Sequence, residues 1–213
     1  MRAIGGEYVI LDLATTDRLP DQPPARSGIR GQMTRKDKMT QNDLGSAEYQ
    51  LHLLETMRPL PETLDRVLEV IGCSREQMEQ GSERIRSATE MPAGSAGLTR
   101  EILRDVRTHQ EQEGLVERYA FPLWPDYEFE VEYHPAGDFF MRLWFVRAPG
   151  SESPTGQPTP WTWLKDEVLA QYEDVKELML WLPYETYDVL NPQDGKRYFL
   201  RFGWHVLQEI DEM

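Results

Sequence analysis

The sequence predicts an α+β fold: an N-terminal helical segment followed by a ββαββ antiparallel sheet with one long helix packed on it. Two observations carry that expectation. Of the six Trp, nine Tyr and seven Phe, only Tyr8 and Tyr49 precede Tyr119, and every Trp and Phe lies beyond residue 120. Aromatic residues favour strands, whereas the preceding stretch is rich in Leu, Glu, Arg and Met, which favour helices. The hydrophobic period changes at the same place. Leu64, Val67, Leu68 and Ile71 recur at helical spacing, while Tyr127, Phe129, Val131 and Tyr133 alternate with Glu128, Glu130 and Glu132. This divides the chain into a short N-terminal strand (1–13), a flexible and partly basic linker (14–45), a helical region (46–118) and a sheet-plus-helix domain (119–213).

The elements follow in order. Glu7 to Leu13 is β-branched and aliphatic, as in a short strand. Ala14 to Ser46 carries Pro20, Pro23, Pro24, Gly28, Gly31 and Gly45 with little periodicity, the composition of a linker. Ser46 to Met57 places Tyr49, Leu53 and Leu54 on one helical face, ended by Pro59 and Pro61. Pro61 opens a second helix, where its missing N–H costs nothing. Gly72 closes that helix, and Ser74 caps a third running from Arg75 to Arg86. Leu98 to Gly114 is a fourth helix, with Leu98, Ile102 and Val106 at helical spacing. Tyr127–Tyr133 and Phe139–Arg147 form a hairpin across the turn at His134–Asp138. Gly150 to Pro160 is a loop. Trp161, Leu164, Val168, Tyr172, Val175, Met179 and Leu182 then mark an amphipathic helix of about six turns stopped by Pro183. Tyr187–Leu190 and Arg197–His205 close a second hairpin over Asn191–Lys196.

Net charge is −14, unevenly distributed. Residues 1–60 hold eight acids and eight bases, so the whole excess lies in residues 61–213, with 29 acids against 15 bases. Such a surface repels phosphate backbones and favours basic partners. The single cysteine, Cys73, cannot form an internal disulfide, which suits a reducing compartment. The apolar stretch Tyr8–Leu13 is too short for a signal-peptide core and is interrupted by Asp12. The longest later apolar run, Leu178 to Leu182, has five residues, against the roughly 18 needed to span a bilayer. The expectation is a cytoplasmic protein without membrane contact.

Motifs with catalytic content are sparse. There is no Gly-x-Ser-x-Gly, P-loop or dinucleotide glycine fingerprint, and no His-Glu-x-x-His or Cys cluster. His52 and Glu55 share a helical face without a second ligand pair, so no metal and no cofactor is implied. Thr63 to Gly81 resembles the helix-turn-helix of transcriptional regulators, with apolar Val67, Leu68, Ile71, Cys73 and Met78 about Gly72. That resemblance implies DNA binding. Leu68, however, stands where the pattern prefers a small residue, and the second helix sets Glu76, Glu79 and Glu83 against Arg75, Arg84 and Arg86.

Three features point to a protein partner. Glu128, Glu130 and Glu132 project from one strand face about 7 Å apart, a negative stripe unless cross-strand arginines such as Arg142 and Arg201 neutralise it. Trp124, between Pro122 and Pro125, and the pair Trp161 and Trp163 after a proline-rich loop suit aromatic anchors or a cover for the sheet core. Arg26, Arg30, Arg35, Lys36 and Lys38 make a basic arm. The leading expectation is therefore a non-enzymatic, acidic protein-interaction module whose partner has a basic surface. The alternatives are a small-molecule-binding protein or enzyme with a pocket between sheet and helix, and a helix-turn-helix DNA-binding regulator.

Overall fold

A computed structural model describes residues 44–89, 95–110, 115–135 and 139–213 of the chain. The strand expected at Glu7–Leu13, the linker up to residue 43 and the basic arm Arg26–Lys38 lie outside the described residues.

Four helices come first: α1 (Ser46–Met57), α2 (Pro61–Ile71), α3 (Arg75–Thr89) and α4 (Ser95–Leu103). Each boundary has a local cause. Glu48 reaches back to accept the Gly45 N–H at 3.1 Å, and Pro61 occupies the first turn of α2. Gly72 ends α2 at φ +67°, a left-handed conformation that costs glycine little. Ser74 and Gln77 exchange reciprocal side-chain bonds with each other's backbone N–H, at 3.1 and 2.8 Å, a capping box at the start of α3.

Two antiparallel meanders follow, where one sheet was expected. The first sheet runs β1 (Arg107–Gln110), β2 (Val116–Ala120), β3 (Tyr127–Tyr133), β4 (Phe140–Arg147) in spatial order. The second runs β5 (Glu173–Trp181), β6 (Tyr184–Leu190), β7 (Arg197–Gly203), β8 (Val206–Glu212), with the five-residue helix α5 (Lys165–Leu169) between the sheets in sequence. The chain is thus α+β, but the ββαββ arrangement with one long helix is corrected in two places.

The helix expected over Leu98–Gly114 stops at Leu103, and Arg107–Gln110 pairs with β2 instead. Arg107 is held there by the buried carboxylate of Glu117, which also takes Arg100 at 3.2 Å. The six-turn helix expected from Trp161 to Leu182 is replaced by α5 and β5. Asp174 sits at φ +43° and is pinned by Arg197 at 2.7 Å and Lys176 at 3.1 Å, a left-handed residue that no α-helix can pass through. Beyond it the chain pairs with β6 from Lys176 to Trp181.

One core joins the helices to the first sheet. Leu53, Leu54, Met57, Ile85 and Leu103 pack with Tyr119, Phe121, Phe129, Val131 and Phe145. A smaller core under the second sheet gathers Trp163, Val168, Val189, Leu200, Phe202 and Leu207. The two sheets meet through the Phe145 N–H, which donates to the Trp204 carbonyl at 3.0 Å. The segment Trp161–Lys165 runs beside β8, with the Trp161 and Lys165 N–H groups donating to Leu207 and His205 at 2.8 Å each.

At the contact of α1 with β7, a Cβ built on Gly203 would stand 3.1 Å from both Cα and O of Met57. Backbone on the other side cannot yield cheaply. Gly203→Ala is therefore expected to lower stability by about 1–3 kcal/mol, measured by urea denaturation, and an unchanged midpoint would show that the contact is looser than described.

Candidate functional site

The acidic row on β3 is engaged inside the molecule. Glu128 is buried and accepts from the Thr108 hydroxyl at 2.6 Å. Glu130 accepts from Arg118 Nε at 2.7 Å and from the Trp144 indole at 3.1 Å, and Glu132 faces Arg142 at 3.6 Å. Arg201, the other cation expected opposite the row, pairs instead with Glu209. Trp124, Trp161 and Trp163 are all buried and pack in the cores. His52 and Glu55 both contact Ser82 of α3, and Glu55 also takes Arg86 at 3.0 Å. Among the described residues no three His, Cys, Asp or Glu side chains gather to hold a metal. Cys73 is half-buried, and burial pushes its thiol pKa up, away from the reactive thiolate.

The α2–α3 hairpin turns its apolar faces inward. Met78, Gly81, Ile85 and Ala88 of α3 are buried, leaving Glu76, Glu79 and Glu83 in solvent. Arg75 pairs with Asp65, Arg84 with Glu48, and Arg86 with Glu55 and Glu83, so each arginine of α3 is engaged by an acid of the chain. No helix among the described residues is long and apolar enough to cross a membrane.

The feature that stands apart is β5. All nine of its residues are exposed, and it is the open edge of its sheet, paired with β6 alone. Its second half and the following turn present five consecutive apolar side chains, Leu178 to Leu182. Of these, Leu180 is 56% and Trp181 74% exposed. An edge strand carries a row of backbone groups without ladder partners, and natural edges are usually short or charged. Here only the first half is charged, through Glu173, Asp174, Lys176 and Glu177. Asp174 and Lys176 pair with each other, whereas Glu173 and Glu177 have no ion-pair partner among the described residues.

No protein-family model, curated protein or solved structure matches the chain. The reading of the edge therefore stands on its geometry.

What holds β5 in place is polar. Arg197 of β7 reaches across β6 to bind Asp188 at 2.6 Å and Asp174 at 2.7 Å, fastening the start of the strand. Glu185 of β6, directly opposite Leu180, is fully buried at the other end. Its carboxylate takes Lys165 Nζ at 2.8 Å, His205 Nε2 at 3.0 Å and the Tyr187 hydroxyl at 2.7 Å. Burial alone would raise its pKa, but the bonds from His205, Lys165 and Tyr187 outweigh that and hold it down to about 2. His205 also stacks flat on Trp144 at 5.2 Å, walling a 540 Å³ cleft between β4 and α5. Lys165 and Glu185 neutralise each other there, so the cluster serves as a strut joining α5, β6 and the β7–β8 turn.

The open edge had a sequence signal: an uncharged apolar run ended by Pro183. That run fits a strand or a helix equally well, and exposure on both faces is invisible in sequence.

The Glu185 cluster makes a signed pH prediction. A carboxylate held below its ordinary 4.5 contributes stability that is present above that value and lost as pH falls towards 2. Glu185→Gln leaves Lys165 facing a neutral partner and is expected to cost about 3 kcal/mol at pH 7. In urea melts the gap between native chain and variant should narrow as pH falls from 4.5 towards 2. A gap independent of pH would contradict the assignment.

Proposed function

We propose that this chain is a protein-interaction module that captures an extended segment of another protein by strand addition to β5. The observation that carries the reading is the nine-residue edge strand, exposed along its whole length and apolar from Leu178 onward. Strand addition supplies main-chain hydrogen bonds to the open edge, and flanking side chains supply selectivity. Covering the apolar half removes Leu and Trp surface from water, a gain of about 25 cal/mol per Å² buried.

The composition of the edge specifies the partner. Glu173 and Glu177 favour Lys or Arg opposite them, and Leu178–Leu182 favours aliphatic or aromatic residues. A second copy of the chain fits poorly. Antiparallel self-pairing about Glu177 sets that carboxylate against its own copy and places Asp174 opposite Leu180. Pairing about Leu180 leaves Glu173 to Glu177 beyond the ladder. A segment that is basic in one half and apolar in the other satisfies both halves, in keeping with the net charge of −14.

Selection of a displayed library of nine-residue segments on the purified chain tests this. Enriched sequences should combine Lys or Arg with Leu, Ile, Val or Phe, and binding should weaken with added salt. Leu180→Lys, at a position already exposed, should leave stability within about 0.5 kcal/mol while reducing binding at least about tenfold. Enrichment of segments without basic residues, or binding indifferent to Leu180→Lys, would refute the proposal.

A further inference from the structure

A cleft lies between the turn after Phe121 and the loop from Gly150 to Pro160. Its walls include Trp124, Trp161, Tyr127, Pro125 and Pro154, around a volume of 310 Å³. Trp124 and Trp161 are 2% and 7% exposed, and their rings lie 6.4 Å apart at an interplanar angle of only 20°. Neither indole N–H has an acceptor among the described residues. The contrast with neighbouring indoles is plain: Trp144 donates to Glu130 at 3.1 Å and Trp204 to the Thr56 hydroxyl at 2.9 Å. Leaving a buried donor without an acceptor costs about 1–3 kcal/mol, and here two such donors sit on residues that line one cleft.

The remaining polar groups restrict what the cleft accepts. The Tyr127 hydroxyl donates to the Trp161 carbonyl at 3.1 Å. Arg147 is committed to Glu167 through bonds of 3.1 and 2.6 Å, so its charge is already neutralised. Asp126 and Glu152 are exposed at the rim and form no ion pair among the described residues. An anionic ligand would meet these two carboxylates and an Arg147 already paired with Glu167. A neutral acceptor, such as a peptide carbonyl, suits the indoles, and a cation suits the rim.

We propose that this cleft binds a proline-rich peptide segment in the polyproline II conformation, with a basic residue beside the prolines. Such a segment advances about 3.1 Å per residue, so two residues span about the separation of the two rings. Its carbonyls have no internal hydrogen bonds and accept from the indoles, while proline rings pack on aromatic and proline walls. The loop carrying Glu152 and Pro154 forms the outer wall and belongs to neither sheet, and because both indoles are nearly covered, peptide entry has to turn that wall aside. This site rests on the paired indoles and is independent of the reading of β5.

The test is a titration of the ¹⁵N-labelled full chain followed at the indole N–H resonances, assigned by Trp→Phe variants. The probe is a synthetic peptide of alternating prolines with one terminal arginine. The Trp124 and Trp161 signals should move saturably while those of Trp144 and Trp204 stay fixed. Replacing the prolines by alanine should weaken binding about tenfold by removing preorganisation. Trp161→Phe, which keeps an aromatic ring but deletes the indole N–H and part of its surface, should weaken it about three- to tenfold with the Trp144 and Trp204 signals unmoved. Static Trp124 and Trp161 signals at millimolar peptide, or equal binding of the alanine peptide, would overturn the proposal.

Discussion

The segment Trp161–Lys165 exchanges backbone hydrogen bonds with β8 while its two indoles enter different cores, Trp161 the one shared by helices and first sheet and Trp163 the one beneath the second sheet. That double insertion ties the halves of the chain together, and it also sets the character of the second sheet. By lying beside Val206 and Leu207 it covers the start of β8. The meander order then carries β5 to the opposite side, where nothing among the described residues lies against it. The covered start of β8 and the open β5 are thus the two ends of one meander, and β5 is where unpaired backbone and apolar side chains coincide.

Charge follows a related logic. Several of the acids that approach a core are held by the chain's own cations. Glu117 sits between Arg100 and Arg107, Glu130 takes Arg118, and Glu185 takes Lys165 and His205. Buried pairs of this kind contribute little net stability against well-packed apolar groups, but they make breaking either partner costly. They act here as fasteners between elements. The charge left for a partner is that of exposed acids such as Glu173 and Glu177 at β5 and Asp126 and Glu152 at the tryptophan cleft.

Much of the local structure was legible in the sequence. The Tyr-Glu-Phe-Glu-Val-Glu-Tyr alternation forms β3 with its aromatic face buried, and α1 spans Ser46–Met57 because apolar spacing and the flanking prolines agree. What escaped was decided by contacts between distant residues. Arg197 pins Asp174 in a left-handed conformation from 23 positions away, and Val175 to Trp181 becomes a strand although Lys, Glu, Leu and Met favour helices. Trp161 and Trp163 were equally compatible with exposure or burial until the segment's pairing with β8 placed them. The glutamate row was visible as a stripe, yet Thr108 and Arg118, which occupy two of its members, lie in strands whose register the sequence does not disclose.

The central claim is that β5 is an uncovered edge awaiting a strand. Amide hydrogen exchange along Glu173–Trp181 in the isolated chain tests it most directly, because only ladder-bonded amides resist exchange. The account predicts that, outside the register shifts between Glu173 and Lys176 and between Glu177 and Met179, amides directed at β6 are protected and those directed outward exchange as fast as the loop at Gly150–Pro160. Uniform protection of the strand at micromolar concentration would mean that the edge is already covered, and would contradict it.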